Sequence, residues 1–175
     1  MSRILILYST TDGHTLKISQ RLQQLIAEQG HGVEVKAIDA VEIPTLVSFD
    51  KIVIGASIRY GKHQKPVYDF IDRHGEFLAS RPGAFFSVNL VARKPGRDQP
   101  ERNPYVKKFL RQISWQPQHV AIFAGKLNYP IYGWLDRNII RLIMFITKGP
   151  TDPTTVKEFT DWQEVEAFGQ LVSEM

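Results

Sequence analysis

None of the 175 residues is cysteine, which excludes disulfides, thiolate-bound zinc, iron-sulfur clusters and a thiol nucleophile. Any redox chemistry therefore needs a bound cofactor, and a reducing, cytoplasmic setting is expected. Long apolar runs are also missing. Nothing reaches the roughly 18 uninterrupted apolar residues of a spanning helix, and "MSRILILYSTTDG" lacks the apolar length and cleavage site of a signal peptide. There is no GxGxxG and no lysine-bearing Walker loop. The histidines His14, His31, His63, His74 and His119 lack metal-ligand spacing, and no paired carboxylates or Ser/His/Asp spacing call for acid-base or nucleophilic catalysis.

Acidic residues are scarce in one region. Residues 93–148 carry eleven Lys and Arg against three Asp and Glu, whereas residues 149–175 carry one against six. A basic region of this kind faces an anionic partner, and charge alone does not choose among nucleic acid, lipid and small molecules. Basic residues interleaved with a stacking platform are not found, so nucleic acid is not expected.

The first half alternates strand-like and helix-like segments, which indicates an α/β fold with a mainly parallel sheet. "RILILY" and "KIVIGAS" (51–57) read as strands covered on both faces, and "VEVKAID" (33–39) as an edge strand. "GAFFSVNL" (83–90) and "HVAIFAG" (119–125) are the fourth and fifth strands. Helices are expected after the first strand, over 65–80, from Val106, and from "TDWQ", where Thr160 and Gln163 have capping-box spacing. The whole chain reads as one domain, 1–175. About two dozen residues between Gly125 and Gly149 are not required by five strands, so 126–149 is expected to be a hydrophobic and basic insertion.

The loop "YSTTDGHT" (8–15) joins the first strand to the first helix, where unpaired N–H groups and the helix dipole favour a phosphate. Ser9, Thr10, Thr11 and Thr15 add hydroxyls, and Gly13 permits a close backbone approach. A hydroxyl-rich loop without lysine suits a phosphomonoester better than a nucleoside triphosphate; a helix cap and turn is the plain alternative.

Ile6, Leu7, Tyr8, Thr10, Gly13, Thr15 and Leu22 match the N-terminal pattern of the flavodoxin family in spacing and type. Asp12 stands where that family usually has a phosphate-binding Thr, His14 where Asn is common, and Ser19 where a small Ala is usual. The resemblance implies a flavodoxin-like five-stranded parallel sheet, order 2-1-3-4-5, with helices on both faces and FMN as cofactor. It places the phosphate on Ser9, Thr10, Thr11, Asp12, Gly13, His14 and Thr15. The ring would lie between Ser57, Ile58, Arg59, Tyr60, Gly61 and a second loop of Ser87, Val88, Asn89, Leu90, Val91, Ala92, with Tyr60 stacking on the flavin.

Over its whole length the sequence is similar to the flavodoxin-like menaquinone-dependent protoporphyrinogen oxidases, through "YSTTDGHT", "IGASIRYGKH", "FFSVNLVARKP", the hydrophobic insertion and "FTDW". That resemblance implies oxidation of protoporphyrinogen IX in heme biosynthesis, with the flavin N5 accepting hydride and menaquinone or ubiquinone as acceptor. Arg59, Lys62, Arg93, Lys94 and Arg97 would pair with the substrate's propionates. A soluble electron carrier and an NAD(P)H:quinone reductase are the rival readings.

If 134–148 is helical, Arg137, Arg141 and Lys148 form a narrow basic stripe on a broad apolar helix. Trp134, Ile140, Ile143, Met144 and Phe145 would then meet lipid or quinone, the cations would face anionic headgroups, and the protein would be peripheral on the cytoplasmic side of the inner membrane. The alternative is that this surface buries against a second copy of the chain or against the protein's own sheet.

Overall fold

The computed structural model describes residues 1–175, the side chain of Ile43 excepted. In chain order the elements are β1 (Arg3–Ser9), α1 (His14–Glu28), β2 (Gly32–Ala37), α2 (Ile43–Leu46), β3 (Lys51–Arg59), β4 (Lys62–His63) and α3 (Lys65–Ala79). They continue with β5 (Gly83–Asn89), α4 (Pro104–Gln112), β6 (His119–Ala124), β7 (Lys126–Asn128), α5 (Trp134–Ile146), β8 (Val156–Glu158) and α6 (Trp162–Glu174).

β2, β1, β3, β5 and β6 form a parallel sheet in that order, the expected 2-1-3-4-5 path. The inner strands β1, β3 and β5 are apolar almost throughout because both faces are covered, whereas β2, at the edge, alternates. Period-two alternation sorts their side chains. Leu5, Leu7, Ile52, Ile54 and Phe85 pack with Val67, Phe70 and Ile71 of α3 and Phe109 of α4. On the other face Ile4, Ile6, Val53 and Phe86 pack with Ile18, Leu22 and Ile26 of α1 and with Val165, Phe168 and Val172 of α6. Phe86 lies across Gly55, where a Cβ would come within 2.1 Å of its ring; only glycine fits there. Lys51 is buried, and its Nζ donates to the carbonyls of Val172 and Ser173, which serves the open C-terminal end of α6.

Three local expectations are revised. The helix from Thr160 is capped by Asp161, whose carboxylate accepts from Gln163 N–H at 2.9 Å, while the Thr160 hydroxyl donates to the Ala124 carbonyl. β3 turns back on itself through Tyr60 (φ 52°) and Gly61 (φ 77°) to pair with β4, a two-residue hairpin turn that needs positive φ at both positions. The segment after Gly125 begins as β7, pairs antiparallel with β8, and so extends beyond Gly149 to Glu158 before rejoining the main path at α6.

Candidate functional site

A cavity of about 650 Å³ opens at the C-terminal ends of the parallel strands, within the size range of small-molecule sites. Such a crevice is where open α/β sheets bind ligands. Loops after β1, β3, β5 and β6 wall it, and α5 covers its outer side.

On the β1 side, Thr10 through Thr15 line the wall. Gly13 caps α1 with φ 85°, and no side chain occupies the first-turn N–H groups, which leaves them for an anion. The Thr15 Oγ1 is fully buried without a hydrogen-bond partner. Ser9 is not on the wall; its hydroxyl donates to Gln64 Oε1 at 2.6 Å, and Gln64 Nε2 donates to Thr11 Oγ1 at 2.9 Å. Gln64 thus braces the loop from the start of α3.

Asp12, also on the wall, pairs with Arg59, Oδ2 to Nη2 at 2.6 Å, which offsets its expected repulsion of a phosphate. His14 is no cation there. Its Nε2 is 2.6 Å from Thr160 Oγ1, and since that hydroxyl donates onward to Ala124, the Nε2 carries the proton. Burial, opposed by Glu158, holds His14 below its usual pKa, so it is neutral near pH 7.

On the β3 side, Ser57, Ile58, Arg59, Tyr60 and Gly61 all border the cavity, and the Ser57 hydroxyl is buried without a partner. Asp136, in the first turn of α5, accepts from the Tyr60 hydroxyl and lies 3.5 Å from Arg59 Nη1. The Asp136 hydrogen bond, with burial, raises the Tyr60 pKa. Arg59 also stacks 5.3 Å from the Tyr132 ring.

On the β5 side Val88, Asn89, Leu90 and Val91 line the cavity. Ser87 and Ala92 do not: Ser87 Oγ meets the buried His63 Nε2 at 2.9 Å, and Ala92 packs with Val106 and Ile122. Asn89 Oδ1 accepts from Ala92 N–H and Asn103 Nδ2, which shapes the loop.

Of the five basic residues expected to meet substrate, only Arg59 borders the cavity. Lys62 lies in a smaller depression beside Tyr68 and Lys108. Arg97 donates to the Arg102 carbonyl and, like Lys94, is off the wall. Arg93 is held between loops, donating to the carbonyls of Leu90 and Thr147 and to Thr147 Oγ1. Lys126, which motif reading passed over, does line the cavity and makes no salt bridge among the described residues. Its one signal was position, directly after a strand's C-terminal end.

α5 sorts its surface by angle, at about 100° per residue. Trp134, Leu135, Leu142, Phe145 and Ile146 occupy an arc of about 120° and are exposed, Trp134 by 79% and Phe145 by 74%. Ile139 and Ile143 line the cavity. Ile140 and Met144 are buried against Leu127, Tyr129 and Tyr132; they seat the helix and do not belong to its exposed face. The basic stripe is also used inward, because Arg137 donates to the Tyr132 carbonyl and Arg141 to the Thr151 carbonyl. Lys148 lies past the helix end with φ 56° and is off the stripe. Among the described residues no helix is long and apolar enough to cross a membrane.

A 2-1-3-4-5 parallel sheet with an uncapped, hydroxyl-rich β1–α1 loop defines a flavodoxin-like protein, and the chain belongs to the flavodoxin domain family, whose pattern matches residues 5–154. Within it the chain is 41% identical over 173 residues to the protoporphyrinogen IX dehydrogenase (quinone) of Escherichia coli K12, covering 99% of this chain and 96% of the relative. It is 42% identical over 171 residues to the Leishmania major protein of the same name, covering 95% and 72%. The solved structure of oxidised flavodoxin 1 from Bacillus cereus has a TM-score of 0.60 at 18% identity, covering 99% of this chain and 98% of that one, a likeness of fold.

Proposed function

We propose that this chain is an FMN-dependent dehydrogenase that oxidises protoporphyrinogen IX and delivers the electrons to a membrane quinone, menaquinone or ubiquinone. The observation that carries this reading is the single continuous cavity running from the hydroxyl-rich β1–α1 loop to the apolar underside of α5. Its lining brings together the hydroxyl-rich loop, the two loops that would flank a ring and apolar residues of α5, the chemistries that a phosphate, a flavin ring and an apolar tetrapyrrole require.

The residues fit FMN. Thr15 Oγ1 and Ser57 Oγ are buried and unpartnered, a costly state for polar groups unless a ligand satisfies them. The free first-turn amides of α1, with Thr10, Thr11 and Thr15, suit the phosphate, and Asp12 is paired with Arg59. The β3–β4 hairpin and the 88–91 loop would flank the ring, with Tyr60 at its edge. When bound, FMN supplies the two-electron, hydride-accepting group.

What the chain supplies is positioning and exclusion of water. Ile139, Ile143, Met144 and Leu90 give the apolar wall against which a porphyrinogen would lie. Its propionates need cations; we assign to them Lys126, which makes no salt bridge among the described residues, with Arg59, also on the wall but already shared between Asp12 and Asp136. The exposed arc of α5 is contiguous with this wall. A helix of that form lies in a bilayer interface, and such seating would let a lipid-soluble quinone enter without crossing water, on the cytoplasmic face of the inner membrane.

Protein loaded with FMN is mixed anaerobically with protoporphyrinogen IX and a soluble quinone analogue, and porphyrin fluorescence is followed. Turnover that depends on quinone is expected, and Lys126→Glu is expected to raise KM for the porphyrinogen about tenfold, the scale of one charge-assisted contact. Absence of quinone-dependent turnover, with electrons passing only to NADP⁺ or a protein partner, refutes the assignment.

A further inference from the structure

α5 touches both loops assigned above to the flavin ring, one at each of its ends. At its N-terminal end, Asp136 accepts from the Tyr60 hydroxyl and approaches Arg59. At its C-terminal end, Arg93 Nη1 donates to the Leu90 carbonyl at 2.8 Å, and Nη2 reaches Thr147 Oγ1 at 2.8 Å and its carbonyl at 3.2 Å. One guanidinium thus joins the β5 loop to the C-cap of the helix. Space is kept for it, because a Cβ at Gly149 would come within 2.8 Å of Arg93 Nη2 and 2.4 Å of Met144 Cε.

Neither residue acts by lying against a ligand. Asp136 and Arg93 are both off the cavity wall, whereas Tyr60 and Leu90, which they hold, are on it. Between the two ties, Ile140 and Met144 fix the helix on Tyr129 and Tyr132, so it is seated at the middle as well as tied at both ends.

We propose that Asp136 and Arg93 are positioning residues that hang the two ring-flanking loops on α5, so that the spacing of the loops, and with it the grip on the isoalloxazine ring, is set by the helix. This rests on the FMN reading above. It gives Asp136 a structural role and gives Arg93 one in place of a substrate contact. The β1–α1 loop is not part of this arrangement except through Asp12 and Arg59, so ring affinity and phosphate affinity separate.

That separation is the test. FMN and riboflavin are titrated by flavin fluorescence into the apoprotein, its Asp136→Ala, Asp136→Asn and Arg93→Lys variants, and Thr15→Val as a phosphate-side reference. Asp136→Ala and Arg93→Lys are expected to weaken FMN and riboflavin by the same factor, about fivefold for the loss of one hydrogen-bonded tie. Asp136→Asn retains an acceptor for Tyr60 and is expected to fall between Asp136→Ala and the parent. Thr15→Val is expected to weaken FMN alone. Parent-like affinities in folded Asp136→Ala and Arg93→Lys, or a loss confined to FMN, overturn the proposal. If Asp136→Ala does not fold, Asp136→Asn combined with Tyr60→Phe carries the same comparison. A parent protein that binds neither flavin refutes the FMN reading itself, a different outcome from parent binding with insensitive variants.

Discussion

Lowering the pH from 7 to 5 is expected to destabilise the apoprotein through one buried imidazole. His63, in β4, is 4% exposed, its ring lies 4.4 Å from that of Phe109 and 5.4 Å from that of Phe85, and its Nε2 meets Ser87 Oγ. Burial lowers its pKa from 6.5 to about 3. The unfolded chain therefore takes up a proton at a pH where the folded chain does not, so the His63 contribution is full above 6.5 and is lost progressively as pH falls toward 3. With ~1.4 kcal/mol per pH unit below 6.5, the loss at pH 5 is about 2 kcal/mol. Urea unfolding of the parent and His63→Gln at both pH values measures it. The substitution changes absolute stability as well, so the quantity compared is the difference between pH 7 and pH 5, which shrinks by about 2 kcal/mol in the variant. His14, His31 and His74, whose pKa values are also lowered by burial, are present in both proteins and cancel. An unchanged pH difference would show that His63 ionises freely in the folded state and that its packing has been misjudged.

Gly61→Ala places a side chain at φ 77° with Cβ 3.1 Å from the Tyr105 ring, and is expected to cost about 1–2 kcal/mol in thermal unfolding and to weaken flavin binding. Thr15→Val removes a buried hydroxyl that has no partner in the apoprotein, so melting temperature is expected to hold or rise while FMN affinity falls. Trp134→Ser with Phe145→Ser alters two exposed side chains; stability is expected to stay within about 0.5 kcal/mol for each, and co-sedimentation with anionic liposomes to drop. Retained sedimentation would assign the exposed arc to another protein surface.

The sheet was legible because doubly covered strands leave short, β-branched apolar runs bounded by turn residues. The β1–α1 loop was legible for a local reason too, since glycine, hydroxyls and a helix start fall within eight residues. What sequence could not supply was side-chain direction set by distant partners. Asp12 reads as repulsive until Arg59, 47 residues on, pairs with it. Arg93 reads as a partner for the substrate's propionates and Arg141 as a cation for headgroups until the carbonyls of Thr147 and Thr151 claim them. The hairpin escaped notice because Tyr-Gly is a weak turn signal and β4 is only two residues long. Thr160 was read as a cap although its neighbour Asp161 is as good a capping residue, and the competing demand of the Ala124 carbonyl decided between them.

The pairing of β7 with β8 has a topological consequence. Phe159 N–H donates to the Gly125 carbonyl at 3.0 Å, so the chain leaves the last sheet strand and returns to within one hydrogen bond of the same place. The intervening residues therefore form a closed side branch whose entry and exit coincide. Its length and composition can change without altering the separation of β6 and α6, and loop closure is settled at the ribbon, whatever lies beyond it. A chain in which a short turn joins Gly125 to Phe159 is expected to retain every strand pairing of the main sheet and to lose the outer wall of the cavity as one piece.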